Sequence, residues 1–288
     1  MTTDATAFVF AGGGSIGASE VGMLQALLER NVIPDFVVGA SAGAINALYF
    51  AADPTVDGVA RLASLWCELN RDDVFPVARL RGMLALIGRQ ASLLDPAALR
   101  RTLAARLPVE RLDETQIPCH IVATSFRSGA EVLLSRGSAL DALLATTAIP
   151  VLFPPHRIDD QLLTDGGVAA NAPIATAIAL GATRVIVLPT GFPCAVRAVP
   201  ESLTATVLHT FSILIARQLG ADIHRVPTDV ALRIVPPLCP MHVAPHDFSQ
   251  ARVLIDSADA QTRAWLDAGG LEHDGFPAAL TPHSHIGD

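Results

Sequence analysis

Residues 7–52 read AFVFAGGGSIGASEVGMLQALLERNVIPDFVVGASAGAINALYFAA, and their order decides the fold. Residues 7–11 form a short apolar run that reads as a buried strand, and Gly12, Gly13 and Gly14 follow at once. Over residues 18–30, Val21, Leu24, Leu27 and Leu28 fall on one face at helical spacing. Residues 35–39 (DFVVG) read as a second strand, and residues 41–52 as a tightly packed helix of small apolar residues. Two strands joined by a helix of this length make a βαβ unit, which places them parallel in one sheet.

The pattern continues outward from this unit. Helices are expected over residues 59–69, 96–106, 139–147, 174–180 and 249–268, with Ser249 as the cap of the last. Strands are expected at 119–124, 131–135, 184–188 and 230–235. Residues 157–164 read as a hairpin with its tip at Asp159-Asp160, and Gly181 closes the helix before it. Residues 75–94 mix Gly, Pro and Arg with apolar residues and fit a cap over the rest. The alternation implies a three-layer αβα fold with a mostly parallel central sheet. Residues 1–268 are expected to be a single catalytic domain, and residues 269–288 a flexible tail.

Composition narrows the function classes. The chain has 288 residues, 51% of them hydrophobic and 17% charged, and a mean hydropathy of +0.43. Such values suit strands buried on both faces. No apolar run reaches the ~18 residues of a membrane span. Residues 203–219 come nearest, but they carry His209, Arg217 and several hydroxyls, so a mostly buried helix is expected there. The N-terminus lacks the basic flank of a signal peptide, which makes a cytoplasmic setting the expectation, with peripheral membrane contact as the variant. A net charge of −8 argues against nucleic acid as a partner. Cys67, Cys119, Cys194 and Cys239 form no CxxC pair, so ordinary buried thiols are expected rather than a metal site or disulfides.

Three motifs carry chemistry. Gly12, Gly14 and Gly17 satisfy G-x-G-x-x-G, but a dinucleotide site also needs an acid at the end of the second strand. That strand ends in Val38-Gly39-Ala40-Ser41, and Asp35 lies at its other end. The glycine run fits an oxyanion hole better, since glycine backbones admit a ligand close to their N–H groups. A turn needed only for packing is the plain alternative. Gly39-Ala40-Ser41-Ala42-Gly43 is a G-x-S-x-G nucleophile elbow, set between a strand and a helix. Its plain alternative is a serine that caps the helix. Both loops leave the carboxyl ends of parallel strands and can share one crevice.

A serine nucleophile needs a base. His156, His209, His224, His242 and His246 are candidates, but none sits in a motif. Asp165-Gly166-Gly167 offers another base, although by itself it also reads as a turn.

Taken together, the Gly12–Gly14 run with Gly17, the elbow at Ser41 and the Asp165-Gly166-Gly167 motif resemble the patatin-like phospholipase family. Residues 145–150 (ATTAIP), 153–155 (FPP) and 247–249 (DFS) also resemble its pattern. The resemblance implies a Ser41–Asp165 dyad without histidine and an oxyanion hole from the glycine loop. It also implies hydrolysis of lipid acyl esters with no cofactor or metal. Two departures stand out. Ile16 occupies a position where the family usually has Arg or Lys, and Ser125 one where it often has Asp. The partner implied is a lipid or acyl-ester substrate, met through transient contact with a membrane surface. Two other readings use the same residues: an acyltransferase sharing the acyl-enzyme, and a catalytically weak lipid-binding module.

Overall fold

Strand β1 (Thr6–Phe10) lies at the centre of the sheet, paired in parallel with β2 (Phe36–Ala40) on one side and β7 (Arg184–Leu188) on the other. The computed structural model describes residues 4–76, 92–197, 199–273, 275–281 and 283–285. Its eight-stranded sheet has the order β5-β6-β3-β2-β1-β7-β8, with β4 attached to β3. β3 is Cys119–Ser125 and β4 Glu131–Leu134. The remaining strands are β5 (His156–Ile158), β6 (Gln161–Thr164) and β8 (Ala231–Ile234). The five strands from β3 to β8 along that path run parallel, while β4, β5 and β6 add antiparallel pairings at one end. Here the chain turns back by hairpins, as the Asp159-Asp160 tip requires; Asp159 takes a φ of +50° there.

Alternation along β1 explains the layers. Phe8 and Phe10 enter one core cluster, and Ala7, Val9 and Ala11 enter the other. The larger core packs α1 (Ala18–Glu29), α2 (Ala42–Ala52), α3 (Val56–Glu68) and α10 (Ala251–Asp267) on one face. It also takes in α5 (Ala97–Ala104) and α6 (Ala139–Thr146), and the one-turn α4 (Arg71–Val74) adds Val74 at its margin. The opposite face is covered by α7 (Gly167–Ala170), α8 (Ile174–Ala179) and part of α9 (Leu203–Ile223). The result is the expected mixed α/β fold, with helices on both faces of a mostly parallel sheet.

Several local expectations are corrected. Ser249 does not cap the last helix: it lies in a short 3-10 turn (Phe248–Gln250) capped by Asp247, whose carboxylate accepts from the Ser249 N–H at 3.0 Å and the Ser249 hydroxyl at 2.6 Å. That turn leads directly into α10, whose own N-cap, Gln250, makes no side-chain cap bond. Helix α9 is only half covered, with Leu203 and Leu214 exposed on its outer side. No helix among the described residues is long and apolar enough to cross a membrane. Part of the segment expected to fray packs back: Leu280 is buried in the second core, and the His285 N–H donates to Cys194 O at 3.0 Å. Cys67 is exposed rather than buried, and Cys194 and Cys239 meet at 4.0 Å between sulfurs. The sequence distance between them conceals this, because the loops after β7 and β8 run side by side. Most of the suggested cap over 75–94 lies outside the described residues.

Candidate active site

Ser41 sits at the turn from β2 into α2 with φ +52° and ψ −127°, a conformation that strains any residue with a side chain. Its surroundings hold it there. The Ser41 N–H donates to Thr146 Oγ1 at 2.8 Å, and the Thr146 hydroxyl donates to Val122 O at 2.5 Å. Gly39 and Gly43 permit the sharp turn: a Cβ on Gly39 would lie 2.7 Å from Gly43 O, and one on Gly43 2.6 Å from Ala11 O. The elbow therefore turns the Ser41 hydroxyl away from its own helix, and no cap bond forms to α2.

Asp165 follows the end of β6. Its N–H donates to Ala148 O at 3.0 Å, and its carbonyl accepts from the Thr124 hydroxyl at 2.7 Å. These bonds fix the backbone while the carboxylate faces Ser41. Ser41 Oγ donates to Asp165 Oδ2 at 2.8 Å, and the Gly167 N–H donates to Asp165 Oδ1 at 2.8 Å. Asp165 is fully buried. Burial pushes its carboxyl up to about 7, against the Ser41 and Gly167 hydrogen bonds, which pull it down. No histidine is hydrogen-bonded to either side chain among the described residues. Gly166 lets this strand end lie against β3; a Cβ there would fall 2.1 Å from Val122 O.

The glycine loop is held from three sides, and this changes the expected role of Gly12. Its N–H already donates to Asn171 O at 3.1 Å, so it is not a free oxyanion donor. Its carbonyl accepts from Thr190 Oγ1 at 2.9 Å and Asn171 Nδ2 at 3.2 Å. Gly12 thus anchors the loop, and no hydrogen bond occupies the N–H of Gly13 or Gly14 among the described residues. On the third side, Ser15 N–H donates to Pro245 O at 2.9 Å. Ile16 lies in the hydrophobic core and is 1% exposed. It is a packing residue, so Ile16→Arg would test a buried charge rather than substrate choice.

Glu20, Asn46, Trp66, Thr146, Asn171 and Thr190 were not singled out from sequence, yet they build the frame. Glu20 Oε1 accepts from the Ala11 N–H at 2.8 Å, just before the glycines. Its other oxygen accepts from Asn46 Nδ2 at 2.6 Å, and Asn46 Oδ1 accepts from Trp66 Nε1 at 2.7 Å. Burial raises the Glu20 carboxyl well above its ordinary range, against the Asn46 and Ala11 bonds. The available signal was a carboxylate in an otherwise apolar helix segment, which cannot be told from an exposed one without the packing.

A cavity opens from Ser41 and Gly14 between α2, α3 and α5. Its walls are apolar, with Ile45, Leu65, Leu99, Leu103, Ile149 and Phe153 among them. At its far end the Tyr49 hydroxyl is bonded to Arg106 O. A serine hydroxyl, a buried carboxylate, backbone N–H groups without a hydrogen bond among the described residues and an apolar cavity therefore lie together. Such a set can transfer an acyl group from an ester with a hydrocarbon tail.

A family model described as patatin-like phospholipase matches residues 8–178. Human patatin-like phospholipase domain-containing protein 6 is 27% identical over 193 residues, covering 66% of this chain and 14% of its own length. An uncharacterized NTE family protein of Mycobacterium bovis is 31% identical over 169 residues, covering 59% of this chain and 44% of its own length. The chain thus spans less than half of each of these relatives. Among solved structures, VipD from Legionella pneumophila matches with TM-score 0.50 and 17% identity, over 92% of this chain and 67% of that one. Human GIVD cytosolic phospholipase A2, in complex with a methyl gamma-linolenyl fluorophosphonate inhibitor, matches with TM-score 0.50 and 13% identity. That match covers 96% of this chain and 59% of the enzyme. At these identities the two structures are alike in fold.

Proposed function

The chain belongs to the patatin-like phospholipase family, and on that premise we propose that it is a serine lipid acyl hydrolase working through a Ser41–Asp165 dyad. The observation that carries the reading is the 2.8 Å hydrogen bond from Ser41 Oγ to a carboxylate that burial holds near neutral pKa. Asp165 accepts the Ser41 proton as Oγ attacks the ester carbonyl. Charge develops on the carbonyl oxygen, where the N–H groups of Gly13 and Gly14 can receive it. The partial positive charge at the start of α2 adds to them. The tetrahedral intermediate expels the alcohol, which takes the proton from Asp165, and leaves the acyl group on Ser41. Asp165 then accepts a proton from water as the water attacks the acyl-enzyme, and returns it to Ser41 Oγ as the free acid leaves. Ester plus water becomes acid plus alcohol, and the dyad is restored.

The apolar walls beyond Ser41 support an acyl chain as the group held during this reaction. Exposed Leu203 and Leu214 on α9 supply apolar surface for transient contact with a lipid assembly. Hydrolysis of p-nitrophenyl esters and labelling by a fluorophosphonate probe test the dyad directly. Ser41→Ala is expected to lose both, and Asp165→Asn to lower kcat by ~10²–10⁴-fold. Wild-type turnover in either variant would reject the mechanism. Product analysis with added glycerol separates water from an alcohol as acceptor.

A further inference from the structure

Cys194, Cys239, His283 and His285 converge on the side of the sheet beyond β8, although 91 positions separate the first from the last. Their four ligand atoms lie within 4.8 Å of one another. Cys194 Sγ is 4.0 Å from Cys239 Sγ, and Cys239 Sγ is 3.1 Å from His283 Nε2 and 3.2 Å from His285 Nε2. A tetrahedral zinc with two sulfur and two nitrogen ligands places its sulfurs about 3.8 Å apart and each sulfur about 3.6 Å from each nitrogen. These three pairs lie within about half an ångström of those edges, and the remaining pairs within 4.8 Å. We propose that these four side chains bind one zinc ion in a closed Cys2His2 site.

The surroundings fit a metal site. His283 Nδ1 lies 2.7 Å from Thr281 O, a bond that keeps the proton on Nδ1 and leaves the Nε2 lone pair free for a metal. The Met241 N–H donates to Cys194 Sγ at 3.3 Å, as backbone amides do to metal-bound thiolates. The Ala195 N–H donates to Met241 O at 2.9 Å, so the two cysteine loops are clamped before any ion arrives. Cys194 is buried, and the other three are half-buried. Binding displaces one proton from each thiol, and two thiolates with one Zn²⁺ form a neutral centre. Four protein ligands leave no open position for substrate or water, which makes the role structural.

That role has a clear target. The Cys194 loop follows β7 and begins near Thr190, whose hydroxyl holds Gly12 O. The Cys239 loop follows β8 and leads to Pro245, whose carbonyl holds the Ser15 N–H. The ion would tie these two loops to each other and to residues 283–285. It would thereby brace both supports of the glycine loop from outside the catalytic cavity.

Elemental analysis of full-length protein, purified without a metal-affinity step, is expected to find about one zinc per chain. Cobalt in its place should give the visible bands of a tetrahedral centre with sulfur-to-cobalt charge transfer. Cys239→Ser and His283→Ala should each reduce the bound metal to below ~0.1 per chain, while Cys67→Ser keeps it. Thiol titration of unmutated protein covers variants that fail to fold: chelation should expose Cys194 and Cys239 to reagent and lower Tm by roughly 5–10 °C. Three results would overturn the site. They are a metal-free protein that takes up neither zinc nor cobalt, full occupancy in Cys239→Ser, and a Cys194–Cys239 disulfide in the freshly isolated chain.

Discussion

Ser41 keeps its strained backbone because one hydroxyl meets its N–H from below. Thr146 Oγ1 accepts from that N–H and donates its own hydrogen bond to Val122 O, which ties the elbow to β3. Thr146→Val keeps the volume and removes the acceptor, leaving a buried donor without a partner. The expected cost is ~1–3 kcal/mol in urea unfolding, with slower acylation because the hydroxyl of Ser41 loses its fixed aim. An unchanged unfolding midpoint would show that another acceptor takes over. Asp165 governs the pH dependence at the same scale. Only its carboxylate form can take the Ser41 proton, and burial places that ionisation near 7. The rate constant kcat/KM should therefore rise with pH and level off above an inflection near 7, with a slope of one proton. A flat profile from pH 5 to 9 would remove Asp165 as the base.

Helix α5 acts through the face it turns to the cavity. Leu99 and Leu103 are four residues apart and therefore stack on the same side, against the space that begins at Ser41. Leu103→Trp adds bulk there without touching the dyad. Hydrolysis of a butyryl ester should change less than about twofold, while that of a palmitoyl ester drops ~10-fold or more. An equal loss on both chain lengths would place the acyl group elsewhere. Helix α2 contributes differently, by its N-terminus rather than a face. The N–H groups of Ala42 and Gly43, right after Ser41, carry no backbone hydrogen bond among the described residues, while that of Ala44 donates to Ser41 O at 3.0 Å. Both helices belong to the same layer, which is why Ser41 and the apolar cavity it lines lie on one side of the sheet.

At the scale of the molecule, the burial of Asp165 works against the stability of the fold as pH rises. A carboxyl that titrates near 7 when folded and near 3.8 when unfolded holds its proton more tightly in the folded chain. That contribution is present below the unfolded value and is lost as pH rises through 7. Glu20, raised in the same direction by burial, adds to the trend. Wild-type protein should therefore lose stability from pH 5 to pH 8. Asp165→Asn keeps the shape without the buried charge. It should unfold at higher urea than wild type at pH 8, by on the order of a few kcal/mol, and the gap should narrow as the pH falls to 5. A gap independent of pH would mean that Asp165 does not ionise in the folded protein.

What the chain specifies locally was legible from its letters. The apolar runs, the glycines of the elbow and the punctuation at Gly181 and Asp159-Asp160 depend on neighbours a few residues away. They placed most strands and helices within two residues, although α3 begins three residues earlier and α9 ends four residues later than expected, and the elbow pointed to Ser41 while Asp165 rested on the family resemblance. Gly12 was misread because its role depends on Asn171, 159 positions later, whose carbonyl occupies its N–H. The burial of Ile16 was not legible, because it is set by the helices packed around it in the core and not by its own loop. The Cys194, Cys239, His283 and His285 cluster stayed invisible for the same reason, since spacing along the chain says nothing about loops that a parallel sheet sets side by side. Sequence determined the elements and the nucleophile's turn, because local sterics and apolar periodicity act over a few bonds. Only the tertiary structure decided which donors are free, which carboxylates are buried and which distant side chains meet. Those properties arise when separate segments exclude water together.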